Sequence, residues 1–211
     1  MGTFSKGILG GFSGTIGTVI GGSWKGIEYM RSQPVKKSGS STFKQLAQQA
    51  KFATIVEFES SMTALLETSF KNYAVRMTGY NNAVSYNIKN AVTGVYPNYA
   101  IDYSAALISR GDLPNAIAPA ATTSAHSVYF TWTNNSGIAE AKDDDAAILV
   151  VYCADLKTTV FTLNGGTRSS GAGNMDVAMF NGKAVQTWLG FISADGKSVA
   201  SSFYTGELVI S

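Results

Sequence analysis

Apolar residues recur with a strand-like period of two along most of the chain, and with a helical period only between about residues 43 and 92. From His126 onward the pattern predicts six strands, at about 127–133, 146–152, 157–163, 174–180, 184–193 and 197–210. Val128, Phe130 and Trp132 alternate with Tyr129 and Thr131, and Val185, Thr187, Leu189 and Phe191 alternate with Gln186, Trp188 and Gly190. Tyr99, Ile101, Tyr103, Ala105 and Leu107 add a strand over 99–109. Asn164-Gly165, Asn181-Gly182 and Asp195-Gly196 lie between these apolar runs, and such dipeptides tolerate the positive φ angles of tight hairpin turns. About seven strands at this spacing predict an antiparallel immunoglobulin-like or fibronectin-III-like β-sandwich over 98–211. Residues 114–123, with two prolines and four alanines, read as an ordered linker or edge segment.

Upstream, the pattern changes twice. Residues 1–35 form a glycine-rich β leader in which Gly7, Gly10, Gly11, Gly14, Gly17, Gly21, Gly22 and Gly26 punctuate aliphatic and aromatic positions. Glycine loosens strand register unless another backbone approaches closely. Such a leader therefore needs a sheet to join, either its own or that of a neighbouring subunit. Gln33 to Ser41 reads as a linker into a helical segment, 36–97. Thr42-Phe43-Lys44-Gln45 fits a capping box, followed by helical spacing through Leu46, Ala50, Ala53, Ile55, Phe58, Met62, Leu65 and Leu66. This predicts a helix over 43–58 and a second piece or continuation to 69, with Phe52 to Phe58 packing between two surfaces. A second helix is expected over 81–92, with Gly94 as its C′ glycine. The fold class is thus α+β, mainly β.

Composition sharpens the class. Apolar residues make up 45% of the 211, but charged residues only 14%, and glycine reaches 22. That profile suits exposed faces that are polar but uncharged, as in assembly-forming β proteins. A net charge of +2 argues against electrostatic binding of nucleic acid. Residues 1–77 hold nine Lys or Arg against four Glu, and residues 78–211 seven against ten acids, so a basic head precedes an acidic body. Cys153 is the only cysteine and sits in the apolar run Ile148 to Cys153, where a buried thiol is expected. No apolar run is long enough for a membrane span. The N-terminus lacks the pattern of a Sec signal, which makes cytoplasm the default location.

Candidate chemistry is sparse. His126, the only histidine, lies at the mouth of a strand and reads as structural. Asp143-Asp144-Asp145 lacks the spacing of a calcium loop and reads as a solvated turn. Arg110-Gly111-Asp112 reads as a turn with a local Arg–Asp contact. The leader glycines make no phosphate loop, because no Gly-Lys-Ser/Thr opens a helix there. No catalytic, cofactor or metal residue is expected. Trp132 and Trp188 fall within strands and belong to the core. Trp24, in a segment without a core, reads as an anchor into another surface.

The words Lys6-Gly7-Ile8-Leu9-Gly10-Gly11-Phe12-Ser13-Gly14, Gly17-Thr18-Val19-Ile20-Gly21, Ser23-Trp24-Lys25-Gly26-Ile27 and Met30-Arg31-Ser32 resemble the opening of an uncharacterised family of Bacteroidota proteins, known only as a domain of unknown function. The resemblance continues through Gln45 to Phe52, Tyr86 to Ala91, Ser109 to Leu113 and Phe203-Tyr204-Thr205-Gly206. It implies one fold along nearly the whole chain and brings no activity or site residues with it. These words are rich in residues that build structure, which lowers the expectation of an enzyme. The expected role is a non-catalytic structural protein whose partner is itself, a filament subunit or virion component. It would assemble by β-strand addition through Ile16, Val19, Ile20, Trp24, Ile27 and Tyr29. The alternative is a sandwich that recognises a glycan or protein through its loops or through an exposed aromatic face, with Trp188 or Tyr204 as the residues to test.

Overall fold

The computed structural model describes residues 2–4, 7, 10–35 and 39–210. Lys6, Ile8 and Leu9 of the leader, and Lys36, Lys37 and Ser38 of the expected linker, lie outside the described residues. The chain divides into two compact units, Met1–Thr42 and Phe43–Ser211.

The first unit is an antiparallel meander of β1 (Thr3–Phe4), β2 (Phe12–Ile16), β3 (Val19–Trp24) and β4 (Ile27–Ser32), hydrogen-bonded in that order. Its turns follow from the glycines. Gly17, at φ +58°, opens the two-residue turn between β2 and β3. Lys25 and Gly26, at φ +46° and +81°, form a type I′ turn between Trp24 and Ile27, the geometry that suits strand twist.

The second unit has three layers. α1 (Phe43–Glu59), α2 (Thr63–Ser69) and α3 (Gly79–Asn90) pack on one face of a four-stranded sheet. That sheet runs in the order β10 (Thr158–Thr162), β9 (Ala146–Cys153), β12 (Ala184–Ile192), β13 (Phe203–Val209). Its other face meets a three-stranded sheet ordered β11 (Ala172–Asp176), β8 (Ser127–Thr133), β7 (Ile117–Ser124). Every strand pairing is antiparallel. Covering on both faces explains why β9 is apolar throughout rather than alternating. Ile148, Val150 and Tyr152 join the helical core, while Ala147, Leu149, Val151 and Cys153 join the core between the sheets. Trp188 lies fully buried against the helices, its indole N–H donating to the Ala106 carbonyl at 3.2 Å. Trp132 meets Phe191 edge to face across the two sheets, with centroids 5.5 Å apart.

Several expectations are corrected by tertiary demands. The strand over 99–109 is only β6 (Asn98–Ile101), which pairs with β5 (Val92–Val95) in a separate hairpin. Of the two readings of residues 114–123, the edge segment holds rather than the linker, because β7 forms the edge of the three-stranded sheet. Ala118 and Pro119 sit where its pairing with β8 slips, so the proline's missing N–H costs no ladder bond. Of the three Asx-Gly dipeptides, only Asp195-Gly196 turns one strand back on its own sheet, between Ile192 and its bridge partner Val199. Asn181-Gly182 is a type II turn leading into β12, with φ −50° then +72°. Asn164-Gly165 starts a crossover between sheets. There Gly165 bonds backbone to backbone with Ala147, and a side chain at Gly173 would strike the Gly165 carbonyl. The β7–β8 hairpin instead turns on Ala125-His126, both at positive φ, which places the histidine in an exposed turn.

Among the helices, α3 starts two residues early because the Thr78 hydroxyl caps it, accepting from the Asn81 amide at 3.1 Å. Gly94 is not its C′ residue but lies in β5, close against the Asn98 carbonyl. Phe52 does not pack between two surfaces. It is exposed, and α1 buries only Ile55, Phe58 and Glu59.

Candidate assembly interface

Cross-strand register sorts the leader side chains onto two faces. Trp24 pairs with Ile27, Gly22 with Tyr29 and Ile20 with Arg31, so Ile20, Trp24, Ile27 and Tyr29 share one face. Ile16 pairs with Val19, and Gly21 with Met30, so Ile16, Val19 and Met30 share the opposite face with Phe12. The six residues singled out in the sequence are therefore divided four and two. Met30, Phe4 and Phe12 were missed there, because the register that places them beside Val19 is not visible in composition.

Neither face is covered within the leader. Trp24 is 53% exposed and Met30 72%, and Ile16, Val19, Ile27 and Tyr29 are exposed as well. Gly21 is the one buried residue among the described leader positions. Its bareness lets the Phe12 ring and carbonyl close over the strand, and Gly22 likewise receives the Tyr29 ring, whose hydroxyl lies 3.0 Å from where a Cβ would sit. Phe4 and Phe12 add a ring contact at 5.5 Å. The glycines thus give flat, close-lying aromatic rings rather than an interdigitated core. Along the outer side of β4, no partner strand pairs among the described residues.

The second unit contains an aromatic cleft of about 450 Å³ between α1, β6 and β9. Phe58 and Tyr152 meet edge to face at 5.0 Å, and Tyr103 lies 5.7 Å from Phe58. Burial raises the pKa of both Tyr103 and Tyr152, so their phenols stay protonated. Glu57 stands on the rim, 2.7 Å from the Lys157 ammonium. These residues come from elements far apart in sequence, and only the Tyr99 and Tyr103 spacing hinted at them. Trp188 is fully buried, and the Tyr204 hydroxyl bonds to the Gln186 amide oxygen at 2.5 Å. Trp188 therefore offers no exposed ring to a ligand.

The remaining candidates resolve into structure. The Arg110 guanidinium stacks on Tyr73 and Tyr86 at 4.5 and 4.9 Å, and Asp112 accepts from the Tyr73 hydroxyl at 2.5 Å. Tyr73 thus takes the place of the expected Arg–Asp contact. Asp143 and Asp144 are exposed, but Asp145 is fully buried, which corrects the solvated-turn reading. Its Oδ2 accepts from Arg168 Nε at 3.0 Å and from the Lys142 amide at 2.9 Å. Among the described residues no three His, Cys, Asp or Glu side chains gather to hold a metal ion, and no helix is long and apolar enough to cross a membrane. Cys153 is a buried free thiol.

No curated protein and no solved structure matches the chain. The model of one family, described as a family of unknown function (DUF6266), matches residues 11–206, which takes in most of the leader sheet and nearly all of the layered unit. The chain belongs to that family.

Proposed function

We propose that this is a non-catalytic structural protein that assembles with copies of itself by β-strand addition through its leader. One observation carries the reading: a four-stranded meander exposes apolar side chains on both faces and buries only a glycine. A small sheet without a covered hydrophobic face is marginal in water. Such a sheet calls for a further surface, and this reading takes it from another copy of the chain. The outer edge of β4 offers backbone hydrogen bonds, and Ile20, Trp24, Ile27 and Tyr29 offer apolar anchors, the combination that strand addition uses. In this reading the seven strands of the two packed sheets form a fibronectin-III-like sandwich. Lettered in chain order, β7-β8-β11 is A-B-E and β10-β9-β12-β13 is C′-C-F-G. The sandwich, braced by helices, serves as the repeating body of a filament or virion-like particle.

Electron micrographs and light scattering of purified protein test this. The full chain is expected to form polymers or defined oligomers. A chain lacking residues 1–33 is expected to stay monomeric while its thermal melt remains cooperative. A full chain that is monomeric at its highest soluble concentration, and unchanged by the deletion, would refute the proposal.

The aromatic cleft favours a second reading, a sandwich that binds a glycan or protein ligand. Sugar rings stack on tyrosine faces, and Tyr99 and Tyr103 are the half-exposed rings there. Glycan-array binding by the full chain that disappears in Tyr99→Ala, with the melt unchanged, would support it. An array without signal would remove it.

A further inference from the structure

We propose that the hairpin tip Trp24-Lys25-Gly26-Ile27 of one copy seats in the aromatic cleft of a second copy, so that assembly runs head to tail. This rests on the assembly reading and names the surface that receives the leader. The tip is shaped as a knob. Its type I′ turn carries Lys25 and Gly26 at the extremity, and Trp24 and its cross-strand partner Ile27 stand side by side just behind. Of the three tryptophans, Trp132 and Trp188 are buried, and Trp24 is the exposed one. Exposed tryptophan at a projecting turn is the residue type that dominates interface energetics when it finds a pocket.

The cleft matches in size, surface and charge. Its volume of about 450 Å³ lies within the range of sites that enclose a ring-sized group. Phe58 and Tyr152 give an aromatic floor, and Ala53 and Ala100 leave the entrance open because their side chains are short. The rim is acidic. Glu57 lines the cleft, paired with Lys157 at 2.7 Å, and the charges of Glu207 and Glu57 both act on the Tyr103 phenol, whose pKa is raised first by burial. Residues 1–42 carry Lys6, Lys25, Arg31, Lys36 and Lys37 against Glu28 alone. A basic leader therefore approaches an acidic rim, and opposite potentials steer the encounter. Knob and cleft are different surfaces, so the contact is heterologous. It does not close on itself about a two-fold axis and propagates into a ring or an open filament.

Two full-length variants test this together. Trp24→Ala removes the knob and keeps the cleft, whereas Ala53→Trp fills the cleft and keeps the knob. Each alone is expected to weaken self-association by about 100-fold, the scale of losing a buried tryptophan anchor. Mixed in equal amounts, they are expected to form one-to-one dimers that grow no further, because each pair holds one good knob and one good cleft. In that mixture the emission of Trp24, contributed by the Ala53→Trp copy, is expected to shift to the blue as it leaves water, with Ala53→Trp alone as the reference. If Trp24→Ala blocks assembly but Ala53→Trp does not, the leader docks elsewhere: the cleft proposal falls and the assembly reading stands. If both variants stay monomeric and their mixture does too, the contact is intramolecular or symmetric, which also overturns it. A full chain that never self-associates sinks both readings. Sugar binding that Ala53→Trp abolishes without altering assembly would give the cleft to a glycan instead.

Discussion

Replacing Arg168 with methionine is expected to destabilise the layered unit by about 3–5 kcal/mol, the range for breaking one side of a buried ion pair. For a unit of this size that is roughly a 10–15 °C fall in melting temperature. The side chain is fully buried and makes three directed bonds. Nε donates to Asp145 at 3.0 Å, Nη1 to the Asn135 side-chain oxygen at 2.7 Å, and Nη2 to the Pro114 carbonyl at 2.8 Å. Its plane lies over the Phe191 ring at 3.9 Å, and its carbonyl accepts from the Trp132 indole at 2.9 Å. Burial pulls the guanidinium's pKa down, and the Asp145 hydrogen bond and charge push it back. Methionine would keep much of the volume but leave the Asp145 carboxylate with the Lys142 amide alone, its Oδ1 having no hydrogen-bond partner. The loss therefore comes chiefly from an uncompensated buried carboxylate. The double variant Arg168→Met with Asp145→Leu is expected to recover a substantial part of it, a coupling that denaturant melts of the four-member cycle measure. If the two single losses simply add, the pair is not the source of the effect.

This network shows where legibility in the sequence ends. Asp145 is the third residue of an acidic triplet, and Arg168 lies 23 residues later in an ordinary polar stretch. Only the packing of two sheets, which brings the crossover after β10 beneath the loop before β9, makes a buried pair of them. Local chemistry was legible where one strand or turn decides the outcome. The uniform apolar run of β9 announced a strand, and Cys153 a buried thiol. It failed where tertiary contacts overrode propensity. Ala125-His126 makes a tight hairpin turn without glycine, whereas Asn164-Gly165 serves a close backbone crossing that only glycine permits. For the candidate interface, the leader's lack of a core was readable from its glycines. The cleft was not, because its rings arrive from α1, β6 and β9 and meet only once the helices cover the sheet.

Glu59 should make the folded state weaken as pH rises from about 4.5 to 8. It ends α1 fully buried. Its Oε1 accepts from Asn87 Nδ2 at 2.7 Å, while Oε2 has no partner. Asn87 is itself committed, donating to the Leu107 carbonyl at 2.9 Å and accepting from the Leu107 amide at 3.0 Å. Removal from water, only partly offset by the Asn87 hydrogen bond, pushes the Glu59 pKa from 4.5 up to about 8. Below pH 4.5 the carboxyl is protonated in both folded and unfolded chains and stability is unaffected. Between 4.5 and 8 the unfolded chain releases the proton and the folded one retains it, so stability declines with each pH unit and the decline ends above the folded pKa. The full span amounts to something on the order of 5 kcal/mol. Asp102 and Asp195, held below the usual carboxylate range first by Ser104 and Ser193 hydrogen bonds, act on the acid side of this window, where stability falls as they protonate. Glu59→Gln keeps the acceptor for Asn87 and cannot ionise. Every other titrating group cancels when wild type and variant are compared at the same pH. The variant's advantage in denaturant melts is expected to grow steadily from pH 5 to pH 8. A difference that stays constant across those pH values would mean that Glu59 is ionised in the folded protein, and the burial argument would fail.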